Sequence, residues 1–311
     1  MLNAGGAPMP TIAVFTKNRS NPAYAAARMG AERTAARMGA RVAHYVPQEP
    51  DSIPEQIALV ERALAERPDA FVFVPVHETA MNDSVRSINA SGIPIFNIIN
   101  RLTAGDYVTF VGADDCRLAR EVAHHLFRHL GGRGEVLVVE GVPGTVTGQA
   151  RLRGFHDAAR ECPGIRIAGS VRGAFLRAVA KREMRALLAS PPAIDGILCA
   201  NDDMALGVID ALEEHGLRVP VTGVNAVPEA VTALKAGRLL ATADFDALKI
   251  SCVATEAALR HLRGESVPRT IELPVQIVEA ANCAPWDKPL EERACPDWDD
   301  VARDGGAADK R

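Results

Sequence analysis

GILCANDDMALG, residues 196–207, decides how the rest of the chain is read. Ile197, Leu198 and Cys199 form a short apolar run bounded by turn formers, the pattern of a buried strand. Asn201, Asp202 and Asp203 follow, and Met204, Ala205 and Leu206 open a helical pattern that continues through Val208, Ile209 and Leu212. An Asn or Asp at that junction caps the free N–H groups of the new helix. The same junction is the carboxyl end of a strand, where an open α/β sheet offers polar side chains to a ligand. Within this segment alone, a pure capping role for Asn201 explains the residue equally well.

Outward from this unit the same alternation repeats. Towards the amino terminus, strands are predicted over Thr11–Thr16, Arg41–Val46, Ala70–Val74, Pro94–Ile99 and Val108–Val111. Helical patterns fall between the first four, over Pro22–Met38, Ser52–Ala65 and Thr79–Asn89, with Pro22 suited to a first helical turn. A second series then begins, with strands over Glu135–Val139, Ile165–Val171, Val219–Val224 and Leu240–Ala243 around the opening segment, and a final strand over Ile271–Val278. Its helices span Asp115–Leu130, Gln149–Arg160, Leu176–Leu188, Pro228–Ala236 and Ala247–Leu262. Apolar strands alternating with amphipathic helices predict parallel sheets covered on both faces. Two series of similar size predict two Rossmann-like lobes with a cleft between them.

Bulk properties agree. A chain of 311 residues amounts to roughly two domains at about 150 residues each. Its 48% hydrophobic and 24% charged residues are ordinary for a folded protein. A net charge of −4 gives no general affinity for nucleic acid. No apolar run approaches the roughly 18 residues needed to cross a bilayer. The opening MLNAGGAPMP lacks the basic start and apolar core of a secretory leader. Residues 284–311 lose the apolar period and carry Trp286 and Trp298 among many charges. The stretch from Asn282 to about Trp298 reads as a surface segment anchored by the tryptophans, and 299–311 as disordered.

The six cysteines show no CxxC spacing. Cys199 and Cys252 lie in apolar patterns and read as buried thiols. Cys283 and Cys295 flank a polar segment, and an oxidising compartment would let them close a small loop. The alternative is two unpaired thiols in a loosely held tail.

At the strand ends stand Asn21, Tyr24, Asn100, Arg101, Arg151, Phe175, Asn201, Asn225, Phe245 and Asp246, together with Asp114, Asp115, Glu140, Gly144 and Thr145. Amides, guanidinia and aromatic faces suit a polyhydroxyl ligand: planar groups give bidentate hydrogen bonds and rings cover the C–H face of a sugar. Each has a plainer reading singly, as core, lobe-edge ion pair or turn former. Their shared position at successive strand ends favours the ligand.

NPAY at 21–24, INR at 99–101, GTVTGQARLRGF at 144–155, CANDDMALG at 199–207 and VTGVNAVPEAVTALKAGRLLATADFD at 221–246 resemble the sugar-binding proteins of ABC importers, of the ribose/galactose-binding type. The resemblance spans about Thr11 to Val278 and implies the periplasmic binding protein type I fold. That fold joins two lobes by three crossovers, placed near Ala113, Asp246 and Pro274. It implies an N-terminal extension over 1–10, one lobe from 11–113 plus 246–273, another from 114–245 plus 274–282, and a tail over 283–311. Ligand contacts would come from Asn21, Tyr24, Asn100 and Arg101 in the first lobe. Arg151, Phe175, Asn201 and Asn225 would supply them in the second, with Phe245 or Asp246 at the hinge. The family commonly has Asp at positions 100 and 225 and an aromatic at 23, where this chain has Asn100, Asn225 and Ala23. Keeping Arg101 and Arg151 while losing two acids predicts a more positive cleft. An acidic sugar derivative then stands beside a neutral sugar or polyol as ligand. The resemblance further implies a periplasmic monomer with no cofactor, no metal and no catalytic residues. Its partner would be an ABC permease in the membrane, with a chemoreceptor or sensor kinase as further candidates.

Other functions fit less well. Repressors with this effector fold carry a DNA-binding helix-turn-helix, and only about ten residues precede the first strand here. No GxGxxG follows a strand, GVPGTVTG at 141–148 is not a P-loop, and no GxSxG appears. His124, His125 and His129 share a helix without the HExxH pattern, so a solvated face is favoured over zinc.

Overall fold

A computed structural model describes residues 9–190 and 193–305. In chain order the elements are β1 (Thr11–Phe15), α1 (Pro22–Met38), β2 (Arg41–Tyr45), α2 (Ile53–Glu66), β3 (Ala70–Phe73), α3 (Asn82–Ala90), β4 (Ile95–Ile98) and β5 (Thr109–Gly112). There follow α4 (Asp115–His129), β6 (Gly134–Glu140), α5 (Val146–Glu161), β7 (Ile165–Arg172), α6 (Arg177–Leu188), β8 (Gly196–Cys199), α7 (Asp202–Glu214), β9 (Val221–Val224), α8 (Pro228–Lys235) and β10 (Ala241–Asp244). The chain ends with α9 (Ala247–Leu262), β11 (Thr270–Glu272), β12 (Gln276–Val278), a 3-10 turn at Leu290–Glu292 and α10 (Trp298–Gly305). Among the described residues no helix is long and apolar enough to cross a membrane.

The described residues form two compact units, 9–113, 247–273 and 294–305 in the first, 114–190, 193–246 and 274–293 in the second. The first has a parallel sheet in the order β11-β5-β4-β3-β1-β2. Side chains alternate across a strand, so Ala13, Phe15, Phe71, Phe73 and Ile95 enter one core with Val60, Ala63 and Ile88 of α2 and α3. Phe15 stacks on Tyr45 at 4.8 Å between ring centroids. The other face is covered by α1 and α9, which pack closely on each other. Gly30 makes that approach feasible: a Cβ there would run into the Leu248 carbonyl.

The second sheet runs β12-β10-β9-β8-β6-β7, with α4 and α5 packed together and α6 and α7 packed together. It is parallel except for β12, which pairs antiparallel with β10. The single strand expected over Ile271–Val278 is therefore two. β11 completes the first sheet and β12 the second, and Pro274, lacking an N–H for a ladder bond, lies between them.

Three further expectations are corrected. The disulfide joins Cys252 of α9 to Cys295, with Cα atoms 5.8 Å apart, so Cys252 is no free thiol and Cys283 does not bridge. The tail is structured further than its composition suggests. Residues 283–293 belong to the second unit, and 294–305 join the first, where Trp298 of α10 lies under the Arg260 guanidinium at 4.8 Å. The part of the tail beyond 305 lies outside the described residues, as does most of the N-terminal extension. Asp246 groups with the second unit, one residue past the expected boundary.

Candidate functional site

Because the strands within each sheet are parallel save one, their carboxyl ends share an edge, and the residues following them are collected there. In the first unit Asn21 caps α1, its Oδ1 accepting from Ala23 N at 3.0 Å. Its own N–H donates to Asn18 Oδ1 at 3.0 Å, and Asn18 is held in turn by Asp51. Tyr24 sits half-buried in the first turn of α1. After β4 the buried Asn97 side chain shapes the next contributor. Its amide donates to the carbonyls of Phe73 (3.1 Å) and Asn100 (2.8 Å) and accepts from Leu102 N (3.0 Å). Asn100 is buried in this loop. The exposed Arg101 lays its guanidinium over the Phe110 ring, 3.9 Å from the centroid, and reaches Glu272 at 3.3 Å.

In the second unit Arg151, buried on α5, is the hub. Its Nε donates to Asp115 Oδ1 at 2.8 Å and its Nη1 to the Ala200 carbonyl at 2.6 Å. The guanidinium carbon lies 5.3 Å from the Phe245 ring centroid. Asn201, next to Ala200, accepts from Met204 N at 2.9 Å and donates to the Phe175 carbonyl at 3.3 Å. The Phe175 ring lies over Gly141, where any Cβ would collide with it. Asn225 donates its N–H to Ala243 O at 2.9 Å. Within the second unit Arg151 and Phe245 are thus in contact, Asn201 and the Phe175 backbone are bonded, and the two pairs are linked through the Ala200 carbonyl next to Asn201, with Asn225 and Asp246 following neighbouring strands.

Backbone strain marks the same edges. Among the described residues, eight non-glycine residues hold positive φ, outside the range comfortable for L side chains. Two, Asp51 and Arg67, lie in the loop before α2 and at its C-terminal cap, and the other six are Ile99, Ala174, Phe175, Asn225, Ala226 and Asp246, with φ between 31° and 127°. All six follow β4, β7, β9 or β10. Such conformations cost of order 1–3 kcal/mol each and persist where the surroundings fix them, commonly at binding sites.

Several contributors were not singled out by the sequence pattern. Asp202 is fully buried; its Oδ1 accepts from the Thr242 hydroxyl at 2.6 Å and its Oδ2 from Val227 N at 3.0 Å. Burial outweighs these bonds and pushes its carboxyl from 3.8 up to about 6. Arg293, from the tail, donates to Ala226 O at 3.3 Å and feels the charges of Asp246 and Asp244. Asp115 stood among the strand-end residues, but its pairing with a side chain 36 positions on has no local signal. Neither arginine of the expected positive cleft stands without an acid in its own unit: Arg151 pairs with Asp115 and feels the Asp202 charge in the second, and Arg101 pairs with Glu272 in the first.

His124 and His125 of α4 do more than face solvent, reaching Glu161 at 2.7 Å and Glu279 at 3.5 Å respectively. A separate cavity of about 610 Å³ opens at the amino ends of β9 and β10, lined by Leu212, Leu217, Leu234 and Leu240 with Arg218 and Arg238. It lies at the other end of the strands from Asn201 and Asn225.

This fold, with its ligand-type side chains at the strand ends, defines a solute-binding protein, and the chain belongs to the family of the periplasmic binding protein domain, whose model matches residues 12–266. Among particular relatives, it is 29% identical over 275 residues to the ribose import binding protein RbsB of Bacillus subtilis, covering 88% of this chain and 89% of that one. It is 31% identical over 286 residues to the D-ribose/D-allose-binding protein of Pseudomonas aeruginosa, covering 87% and 89%. Its structure is similar, at a TM-score of 0.84 and 29% identity, to an ABC transporter periplasmic solute-binding protein from Actinobacillus succinogenes with bound D-allose, covering 88% and 98%. A Bacillus halodurans solute-binding protein with bound myo-inositol gives 0.83 at 25% identity, covering 91% and 99%.

Proposed function

We propose that the chain is the solute-binding component of an ABC importer and binds one small carbohydrate, a sugar or polyol, without making or breaking its bonds. The observation that carries this reading is the Arg151–Asn201–Phe175–Phe245 constellation: fixed amide and guanidinium donors beside two rings, with Phe175 itself held at positive φ. Donors of this kind suit hydroxyl oxygens, and rings suit the C–H face of a sugar. The relatives' ligands, ribose, allose and myo-inositol, are of this class. Asn225 and Asp246 adjoin the constellation, and Asn21, Tyr24, Asn100 and Arg101 would act on the same ligand. Binding that engages both sets favours the arrangement in which both reach it, by its differential affinity. A membrane permease would read that arrangement, in the periplasm and from a monomer; a chemoreceptor or sensor kinase would read the same form.

The test is Asn201→Asp. A carboxylate keeps the cap on Met204 N but removes the amide donor. By calorimetry with D-ribose, D-allose, myo-inositol and xylitol, the affinity of whichever compound binds should fall by about 1–3 kcal/mol, and the melting temperature should fall as well, because the buried carboxylate faces the Phe175 carbonyl that the amide bonds. Binding unchanged in the variant, or no carbohydrate bound by the parent chain, would defeat the reading.

A further inference from the structure

Arg151 has five N–H groups, and two are committed within its own unit, Nε to Asp115 and Nη1 to the Ala200 carbonyl. The ion pair is sealed from water, with side-chain exposures of 3% for Arg151 and 7% for Asp115. Asp115 is not needed to cap α4: Asp114 does that, its Oδ1 accepting from Cys116 N and Arg117 N at 2.9 and 3.0 Å. The buried Asp115 carboxylate therefore has Arg151 as its evident purpose. Burying such a charge is costly unless it is paired. Asp202 adds a further acidic side chain within reach of the Arg151 charge, and on the neighbouring strand end Asp244 and Asp246 act on Arg293.

We propose that Asp115 is a specificity-determining residue that holds Arg151 as a charge-compensated donor, so that this site accepts hydroxyls and rejects carboxylates and phosphates. The inference rests on the carbohydrate-binding reading above and adds the sign of the charge the site tolerates. An anionic ligand would lose its hydration to meet a guanidinium already neutralised, with the Asp115 carboxylate on its far side. A hydroxyl meets the remaining N–H groups at no such cost. Orientation is part of the same role: a bond at Nε from one side and a carbonyl at Nη1 fix the plane of the guanidinium. In the first unit the Arg101–Glu272 pair is the looser counterpart, half-open to solvent and screened accordingly.

The experiment measures binding of D-ribose and myo-inositol, and of the anions D-ribonate and D-glucuronate, to the parent chain and to Asp115→Asn. The parent should bind a neutral compound and neither anion. The variant should weaken the neutral compound and raise the anion-to-neutral affinity ratio by about 10- to 100-fold, the range for hydrogen bonds to a charged group. A lost scaffold would lower all four affinities together, so the ratio separates selection from packing. A ratio unmoved in a folded variant, or a parent chain that binds ribonate as tightly as ribose, overturns the proposal. If Asp115→Asn does not fold, Asp115→Glu retains the charge and should still exclude both anions; anion binding by it or by the parent overturns the inference equally. A parent chain that binds none of the four refutes the carbohydrate reading itself.

Discussion

Replacing Asp202 by Asn should make the protein's stability less sensitive to pH, with a sign opposite to that of an ordinary paired carboxylate. Asp202 is fully buried at the start of α7, and desolvation raises its carboxyl from 3.8 to about 6 despite the bonds from Thr242 and Val227 and the nearby Arg151 charge. Between those two pH values the folded chain holds a proton that the unfolded chain has released. Stability from this group is thus fully present below about pH 4 and is lost as pH rises through 6. A rise of about two pH units corresponds to about 3 kcal/mol. Asn is neutral throughout, and the Thr242 hydroxyl must reverse to accept from its amide, which adds an offset independent of pH. Urea unfolding of both proteins from pH 4 to pH 7 isolates the effect, since groups common to both cancel in the difference. The variant should gain about 2 kcal/mol on the parent across that range, most of the full effect. A difference that stays flat, or that moves in favour of the parent as pH rises, would refute the assignment of a destabilised buried charge to Asp202.

Two other tests follow. Cys295→Ser opens a bridge spanning 43 positions and should cost about 4 kcal/mol on the loop-entropy model. A reductant should lower the melting temperature of the parent and of Cys283→Ser but leave Cys295→Ser unmoved. Gly30→Ala drives a methyl group against the Leu248 carbonyl where α1 meets α9 and should cost about 1–3 kcal/mol by urea titration.

What the sequence made legible was what is local. The strand at Gly196–Cys199 and the cap at Asn201 can be read from a dozen consecutive residues, because capping and alternation act over one turn or one strand. The candidate residues could be gathered from strand ends for the same reason. Charge balance could not: Asp115 and Arg151 lie on different helices, and Glu272 reaches Arg101 from across 171 positions. Counting acids at the family's positions missed acids supplied from elsewhere. Spacing could not show that α9 would carry Cys252 to the tail in place of Cys283. Composition suggested disorder after Trp298 because it holds no information about Arg260, the cation that Trp298 packs beneath.

The packing of α9 on α1 bears on how the chain acquires its structure. The helix that covers one face of the first sheet is made after the whole of residues 114–246, and β11, which finishes that sheet's edge, comes later still. During synthesis the earliest strands therefore emerge with an apolar face uncovered and an edge unpaired. Contacts separated by so much chain are slow to form because ring closure must precede any gain from them. A nascent chain of this design cannot finish its first unit until the second has been made, and any factor that shields apolar surface has that interval in which to act on it.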